Sequence, residues 1–224
     1  MTLAEWKSVF RGFVLEQTAV DAAHDLAHIQ RVVQNATRFA QAEQADLNVV
    51  IPAAWLHDCV IVPKDSPQRP YASRLAADTA VQFLRQQDYP AQYLDAIAHA
   101  IAAHSFSAGI PPQTIEAKVV QDADRIDAIG AIGIARAFAV GGALQRPLYH
   151  PDDPFCRQRP PDDFAATVDH FYTKLFKLEE SMQTAAARRE AQKRTRFMRD
   201  YLAQLAEEIG SISKIEPIFW EDAD

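Results

Sequence analysis

The chain has 224 residues, 48% of them hydrophobic, with a formal net charge of −7 and two cysteines. That is enough apolar material for one sizeable core and argues against intrinsic disorder, while the acidic balance argues against a general nucleic-acid coat or an anionic membrane surface as partner. Cys59 and Cys156 form no CxxC pair and are too few for a disulfide framework, which fits a reduced cytoplasm.

The opening "MTLAEWKSVFRGF" reads as an amphipathic helix rather than a signal peptide, and no apolar run has the length of a membrane span, so a cytoplasmic protein is expected. Apolar periodicity predicts helices over about 2–17 and about 23–43, the second with Ile29, Val32, Val33 and Phe39 on one stripe. A third helix is expected to start near Pro52, which a first turn tolerates, and to end before Pro63. After the polar, proline-broken "KDSPQRPY", helices are predicted over about 72–87 and about 93–104, then, past "SFSAGIPPQ", one long helix over about 114–139. "VGGALQRPLYHPDDPFCRQRPPDD" is a long loop of the kind that is often functional. Two helices, about 164–180 and about 185–208, close the chain. Strand-like alternation is nearly absent and no internal repeat is visible. The expectation is an all-α fold, a single domain over residues 1–224 with its core at about 20–140 and the C-terminal helices, about 164–208, packed on it.

One feature of the third helix resists this plain reading. "VVIPAAWLHDCVIV" is apolar on every face except at His57 and Asp58, and a helix apolar all round is buried. An ionised carboxylate buried without a partner costs several kcal/mol. The adjacent histidine is not that partner within a helix, because neighbouring residues point about 100° apart. A metal ion between the two directions, completed by other helices, removes the cost; so do separate bonds from each side chain to backbone or to other side chains. Elsewhere His24 and His28 lie one turn apart, and Asp122, Asp124 and Asp127 interrupt the apolar "KVVQDADRIDAIGAIGIARAF", where Gly130, Ala131 and Gly133 allow close helix packing. Salt bridges to Arg125 and nearby bases are the plainer account of those aspartates.

His28 in "HDLAHIQRV", His57-Asp58 in "WLHDCV" and Asp124 in "QDADRIDAIGAIGIAR" follow the H…HD…D order of the HD-domain phosphohydrolases, and the chain resembles that family over most of its length. With "IAAHSF" and "HFYTKLFKL" it is most similar to the bacterial branch that includes nucleotide pyrophosphohydrolases. The resemblance implies an all-helical HD-domain fold and one divalent metal ion held by His28, His57, Asp58 and Asp124; the preference for Asp124 over Asp122 and Asp127 rests on the resemblance, since helix geometry leaves Asp127 open.

Two imidazoles and two carboxylates without a thiolate suit Mn²⁺ first, with Co²⁺, Ni²⁺, Fe²⁺, Mg²⁺ or Zn²⁺ as alternatives. Such an ion activates water and polarises a phosphoryl oxygen. The expected activity is therefore hydrolysis of a phosphoester or phosphoanhydride in a small phosphorylated substrate, a nucleotide, by a nucleoside triphosphate pyrophosphohydrolase or a nucleotidase. Asp58 is expected to share the water, Lys64, Arg69 and Arg125 (with Arg74) to meet phosphate charge, and His104 of "AAHSF" to donate to a phosphate oxygen or bridge to the outer layer. The plainer readings are a solvated basic loop and a core histidine. The general base is open among Asp58, Asp127, Asp25 and Asp65; nucleotidases of the superfamily carry a glutamate three residues after the HD aspartate, and here that position is Ile61. His24 is either a further group at the site or a residue that orients His28.

A two-metal phosphodiesterase or oxygenase would need His99 and His104 as extra ligands, and five residues apart on a helix they point about 140° from each other. A non-catalytic sensor of nucleotide or metal is the reading from another class. The basic "ARREAQKRTRFMRDYL" is expected to be a solvated face paired with Glu190 and Asp200. No nucleic-acid or membrane partner is expected, and the sequence leaves the oligomeric state open.

Overall fold

The computed structural model describes residues 1–17, 26–62, 66–105 and 108–210. The fold is all-α: α1 (Leu3–Gln17), α2 (Leu26–Glu43), α3 (Leu47–Leu56), α4 (Ala72–Gln86), α5 (Leu94–His104), α6 (Ile115–Ile126), α7 (Gly130–Ala143) and α8 (Ala185–Glu208), with short 3-10 turns before α4 and α5. No strand occurs, and no single helix is long and apolar enough to cross a membrane, among the described residues.

Four helices form a closed ring: α2 packs on α3, α3 on α5, α5 on α6 and α6 back on α2. Their inward faces follow the helical period. α2 buries Ile29, Val32, Val33, Ala36, Phe39 and Ala40, and α6 buries Ala117, Val119, Val120, Ala123 and Ile126. Around this ring, α1 lays Trp6, Phe10 and Val14 against α3, with Trp6 edge-on to Tyr89 at 4.8 Å, and α4 packs on α5. α8 seats Ala187, Ala191, Met198 and Leu202 against α6 and α7.

Three boundaries differ from the sequence reading, each for a tertiary reason. α3 starts earlier than Pro52 because the Asp46 carboxylate accepts from the Asn48 amide at 2.8 Å and caps it there. It also stops earlier, at Leu56, so His57 is its C-cap and Asp58 lies in the following turn. The predicted 114–139 helix is two helices bent by 57°. The last turn of α6 tightens through three successive i→i−3 bonds, ending with Ile129 N to Ile126 O, and Gly130 then takes φ +79°, which a side chain with a Cβ adopts only under strain. Arg194 from α8 lies under Gly130 and donates to the Ile126 carbonyl at 2.7 Å, a second and shorter bond to the carbonyl at the break. The predicted 164–180 helix is replaced by a π-helical turn, Phe171–Leu175, running into a 3-10 turn, Phe176–Leu178. Upstream, Thr167 and Val168 give their amides to Pro147 and Leu148, so the segment is tied to the loop returning from α7 before a helix can begin.

The basic run in α8 is largely exposed, at Arg188, Arg189, Lys193 and Arg196. Glu190 meets Arg194 at 2.8 Å and Arg38 of α2 at 3.2 Å.

Candidate metal centre

One end of the ring gathers the functional side chains. His28 comes from the first turn of α2, His57 and Asp58 from the end of α3, His104 from the end of α5, and Asp124 from the last turn of α6. Because α3 stops at Leu56, the objection that adjacent helical residues diverge does not apply. The turn brings Asp58 Oδ2 within 3.7 Å of His57 Nε2. His57 Nε2 also lies 3.9 Å from Asp124 Oδ1, His28 Nε2 lies 3.5 Å from Asp124 Oδ1, and His104 Nε2 lies 3.5 Å from Asp58 Oδ1. His28, His57 and Asp58 each offer an atom within 4.8 Å of the other two. The three imidazoles are buried and form a floor; both carboxylates are half-buried and form its rim.

The histidine orientations have a common cause. His57 Nδ1 lies 2.8 Å from the Ala54 carbonyl, and His104 Nδ1 lies 2.6 Å from the Ile101 carbonyl, both three residues back. The last carbonyls of a helix have no intrahelical partner, so each ring donates to an orphan of its own helix end. A carbonyl only accepts, so Nδ1 carries the proton and the neutral ring presents a lone pair at Nε2. His28 presents Nε2 in the same sense, its Nδ1 being 2.7 Å from Asp127 Oδ2. The Nε2 of His57 is buried and has no hydrogen-bond partner. A buried polar atom left so costs stability unless something outside the protein meets it.

A divalent cation fits that gap. The 3.5–3.9 Å separations are too long for hydrogen bonds and slightly wider than the roughly 3–3.5 Å between donors that each sit about 2.1 Å from one ion. Two imidazole nitrogens with two carboxylate oxygens form a borderline-to-hard donor set, and Cys59 is turned away, its Sγ 3.4 Å from the Ala76 carbonyl. The negative ends of α3, α5 and α6 face the cluster, against one positive end, that of α2, which also favours a cation.

Protonation follows burial and partners. Burial holds His57 below the ordinary imidazole range despite Asp58, keeping its lone pair available. Burial opposes charge on His28 and His104 too, but Asp127 and Asp58 respectively outweigh it and raise both. Asp127 is held down to about 2: burial pushes its carboxyl up, and the bonds from His28 and Arg31 more than offset this.

Of the residues singled out from sequence, His28, His57, Asp58, His104 and Asp124 come together here. Lys64, His24, Asp25 and Asp65 lie outside the described residues. Arg69 donates to the Val62 carbonyl at 2.9 Å and Arg125 to the Ser181 carbonyl at 2.9 Å, so both brace the walls; Arg125 also feels Asp122 and Asp124. Asp122 is not at the cluster: fully buried, it accepts from the amides of Gln183 and Thr184 and from the Thr184 hydroxyl. Asp127, one of the groups left open as general base, has its oxygens engaged by His28, Arg31 and Arg136 on the Nδ1 side of His28, away from Nε2. His99 is removed as a second-metal ligand, since its Nε2 accepts from the Gln113 amide at 3.0 Å. Sequence reasoning missed Arg31 and Arg136. Arg31 could have been found from its i+3 spacing to His28, which puts both on one helix face.

The sequence profile of the HD domain matches residues 25–129, a span that contains every member of the cluster. The uncharacterised Bacillus subtilis protein YpgQ is 35% identical over 199 residues, spanning 87% of this chain and 89% of its own. The crystal structure of YpgQ in complex with ADP matches with a TM-score of 0.70 and 34% identity, over 93% of this chain and 97% of that one. The crystal structure of an HD-superfamily hydrolase from Bacillus thuringiensis matches with a TM-score of 0.74 and 34% identity, over 93% of this chain and 99% of the other.

Proposed function

The chain belongs to the HD domain family and is a metal-dependent phosphohydrolase, and from that premise we propose that it hydrolyses a nucleotide, as a nucleoside triphosphate pyrophosphohydrolase or a nucleotidase. The observation that carries the chemistry is the buried, unpartnered Nε2 of His57 between two half-buried carboxylates. The nucleotide reading is supported by the ADP complex of YpgQ, which is similar over nearly the whole length.

In this reading His28, His57, Asp58 and Asp124 hold one divalent ion, Mn²⁺ first. Bound there, the ion supplies a water activated near neutral pH and a positive charge that polarises the phosphoryl oxygen. The chain's own groups do the rest. The backbone-locked rings of His57 and His104 fix Nε2 geometry without reorganisation during the reaction. His104, whose protonated form Asp58 favours, is placed to donate from Nε2, as an imidazolium, to a phosphate oxygen at the rim. Asp58 is the carboxylate nearest both His57 and His104 and orients the water. Lys64, Arg69 and Arg125 are the cations proposed to meet substrate charge. Residues 1–224 act as one HD-type domain, the continuous apolar cluster from Trp6 to Ala206 supporting that reading. The free thiols of Cys59 and Cys156 support a reducing compartment, the cytoplasm.

The test is a panel of nucleoside mono-, di- and triphosphates and simple phosphoesters with Mn²⁺, Co²⁺, Ni²⁺ or Mg²⁺, reading phosphate and pyrophosphate separately. The proposal expects metal-dependent turnover of a nucleotide, lost in His57→Ala and Asp58→Ala. Turnover confined to non-nucleotide phosphoesters contradicts the substrate, and full activity in either variant contradicts the site.

A further inference from the structure

His57 and His104 obtain their tautomer from orphan carbonyls at the ends of their own helices. His28 has no such option. It lies in the first turn of α2, where helices leave N–H groups unmet rather than carbonyls. Its Nδ1 must find an acceptor elsewhere, and it finds Asp127, the C-cap of α6, at 2.7 Å. That carboxylate is fully buried and is also gripped by Arg31 of α2, at 2.6 Å and 2.9 Å, and by Arg136 of α7, at 3.0 Å. Three helices therefore fix one acceptor.

We propose that Asp127 is a positioning residue: it forces the Nδ1-protonated tautomer on His28 and aims Nε2 into the metal centre, while Arg31 and Arg136 hold the carboxylate in the one rotamer that does this. The carboxylate supplies for His28 what main-chain carbonyls supply for the other two rings. Metal-ligating histidines whose outer partner is removed typically lose about 10–100-fold in metal affinity. The inference rests on His28 being a ligand, as in the proposed function, and is independent of the substrate.

The experiment needs no nucleotide. Mn²⁺ affinity is measured by the electron spin resonance of free Mn²⁺ on wild type, Asp127→Asn, Arg31→Gln and Asp122→Asn, with melting temperatures alongside. The tautomer of His28 is read by ¹⁵N NMR on the metal-free wild type at alkaline pH, where the imidazole is neutral. Expected are Nδ1 protonation of His28, a loss of about 10–100-fold in Mn²⁺ affinity in Asp127→Asn, and a smaller loss in Arg31→Gln. Asp122→Asn, equally buried but bonded to Gln183 and Thr184 and not to a histidine, is expected to melt earlier with unchanged affinity. Nε2 protonation of His28 in wild type, or wild-type affinity in Asp127→Asn, overturns the proposal. So does an equal loss of affinity in Asp122→Asn. If Asp127→Asn does not fold, the wild-type tautomer and Arg31→Gln decide. A wild type that binds no Mn²⁺ fails the metal reading itself. One that binds Mn²⁺ with the wrong His28 tautomer fails Asp127 alone.

Discussion

Two aspartates two residues apart on α6 have unlike surroundings, and substituting each is expected to separate fold from site. Asp122 is fully buried and accepts three hydrogen bonds, from Gln183 N at 2.9 Å, Thr184 N at 2.8 Å and Thr184 Oγ1 at 2.8 Å, pinning the entry to α8. Asp122→Ala leaves two main-chain amides unmet; the Thr184 hydroxyl keeps its contact with the Ala187 amide. At about 1–3 kcal/mol for each buried group left unsatisfied, the loss is roughly 2–6 kcal/mol. For a chain of this size each kcal/mol lowers Tm by about 2–4 °C, so the expected drop is roughly 4–24 °C. Burial already raises the Asp122 pKa, a desolvation cost that the substitution relieves and that keeps the loss from being larger. Asp124, half-buried at the rim, has no comparable set of bonds; Asp124→Ala is expected to change stability by less than about 1 kcal/mol and to abolish Mn²⁺ binding. Calorimetric melting in the presence of a chelator, with Mn²⁺ titration of the same preparations, reads both effects. An unshifted Tm in Asp122→Ala, or Mn²⁺ binding lost there and kept in Asp124→Ala, would refute the division of roles.

Other outcomes follow from the same structure. Asp169 is buried and accepts from Arg159 at 2.5 and 2.8 Å and from the Asp162 amide at 2.7 Å; burial pushes its carboxyl up, but Arg159 outweighs this and holds it below the usual carboxylate range. Its folded pKa being depressed, its stabilisation is complete above the unfolded value and is lost as pH falls through the folded one. Urea denaturation should therefore show Asp169→Asn less stable than wild type at neutral pH, the gap closing in acid; a pH-independent gap contradicts the pairing. A Cβ on Gly133 would lie 2.2 Å from the Ala128 carbonyl oxygen. Gly133→Ala should thus displace the turn after Asp127, cost about 1–3 kcal/mol or more and weaken Mn²⁺ binding, whereas wild-type stability would show that the turn yields freely. Burial, aided by Asp58, pushes the Cys59 thiol up to about 12, so alkylation at neutral pH should reach Cys59 only on unfolding; rapid labelling of the native protein would contradict its burial.

The candidate centre was legible because its residues sit in spaced motifs whose order survives without any knowledge of contacts, and because a His-Asp pair inside an apolar run is a local anomaly. The helix ends were less legible. The apolar pattern of residues 49–62 runs on past Leu56, so nothing local marks the turn that lets His57 and Asp58 converge. Residues 128–138 carry an apolar helical pattern that masks the break at Gly130, whose positive φ no spacing rule announces and against which Arg194 packs from the distant α8. Arginines were the hardest to read. A guanidinium suits a phosphate, a carboxylate or a carbonyl: Arg125 and Arg69 each give one donor to a carbonyl, of Ser181 and Val62, while Arg31 and Arg136 gather on Asp127. Asp122 and Asp127 could not be sorted from Asp124 by spacing, because their partners, Thr184 and His28, lie 62 and 99 residues away.

The proposed metal centre draws four side chains from three helices onto one cation. Crystals grown with Mn²⁺ and measured at the manganese absorption edge test this directly. One anomalous peak is expected, within about 2.3 Å of His28 Nε2, His57 Nε2 and a carboxylate oxygen each of Asp58 and Asp124. No peak among these groups, or a peak that leaves His57 Nε2 unligated, would contradict it.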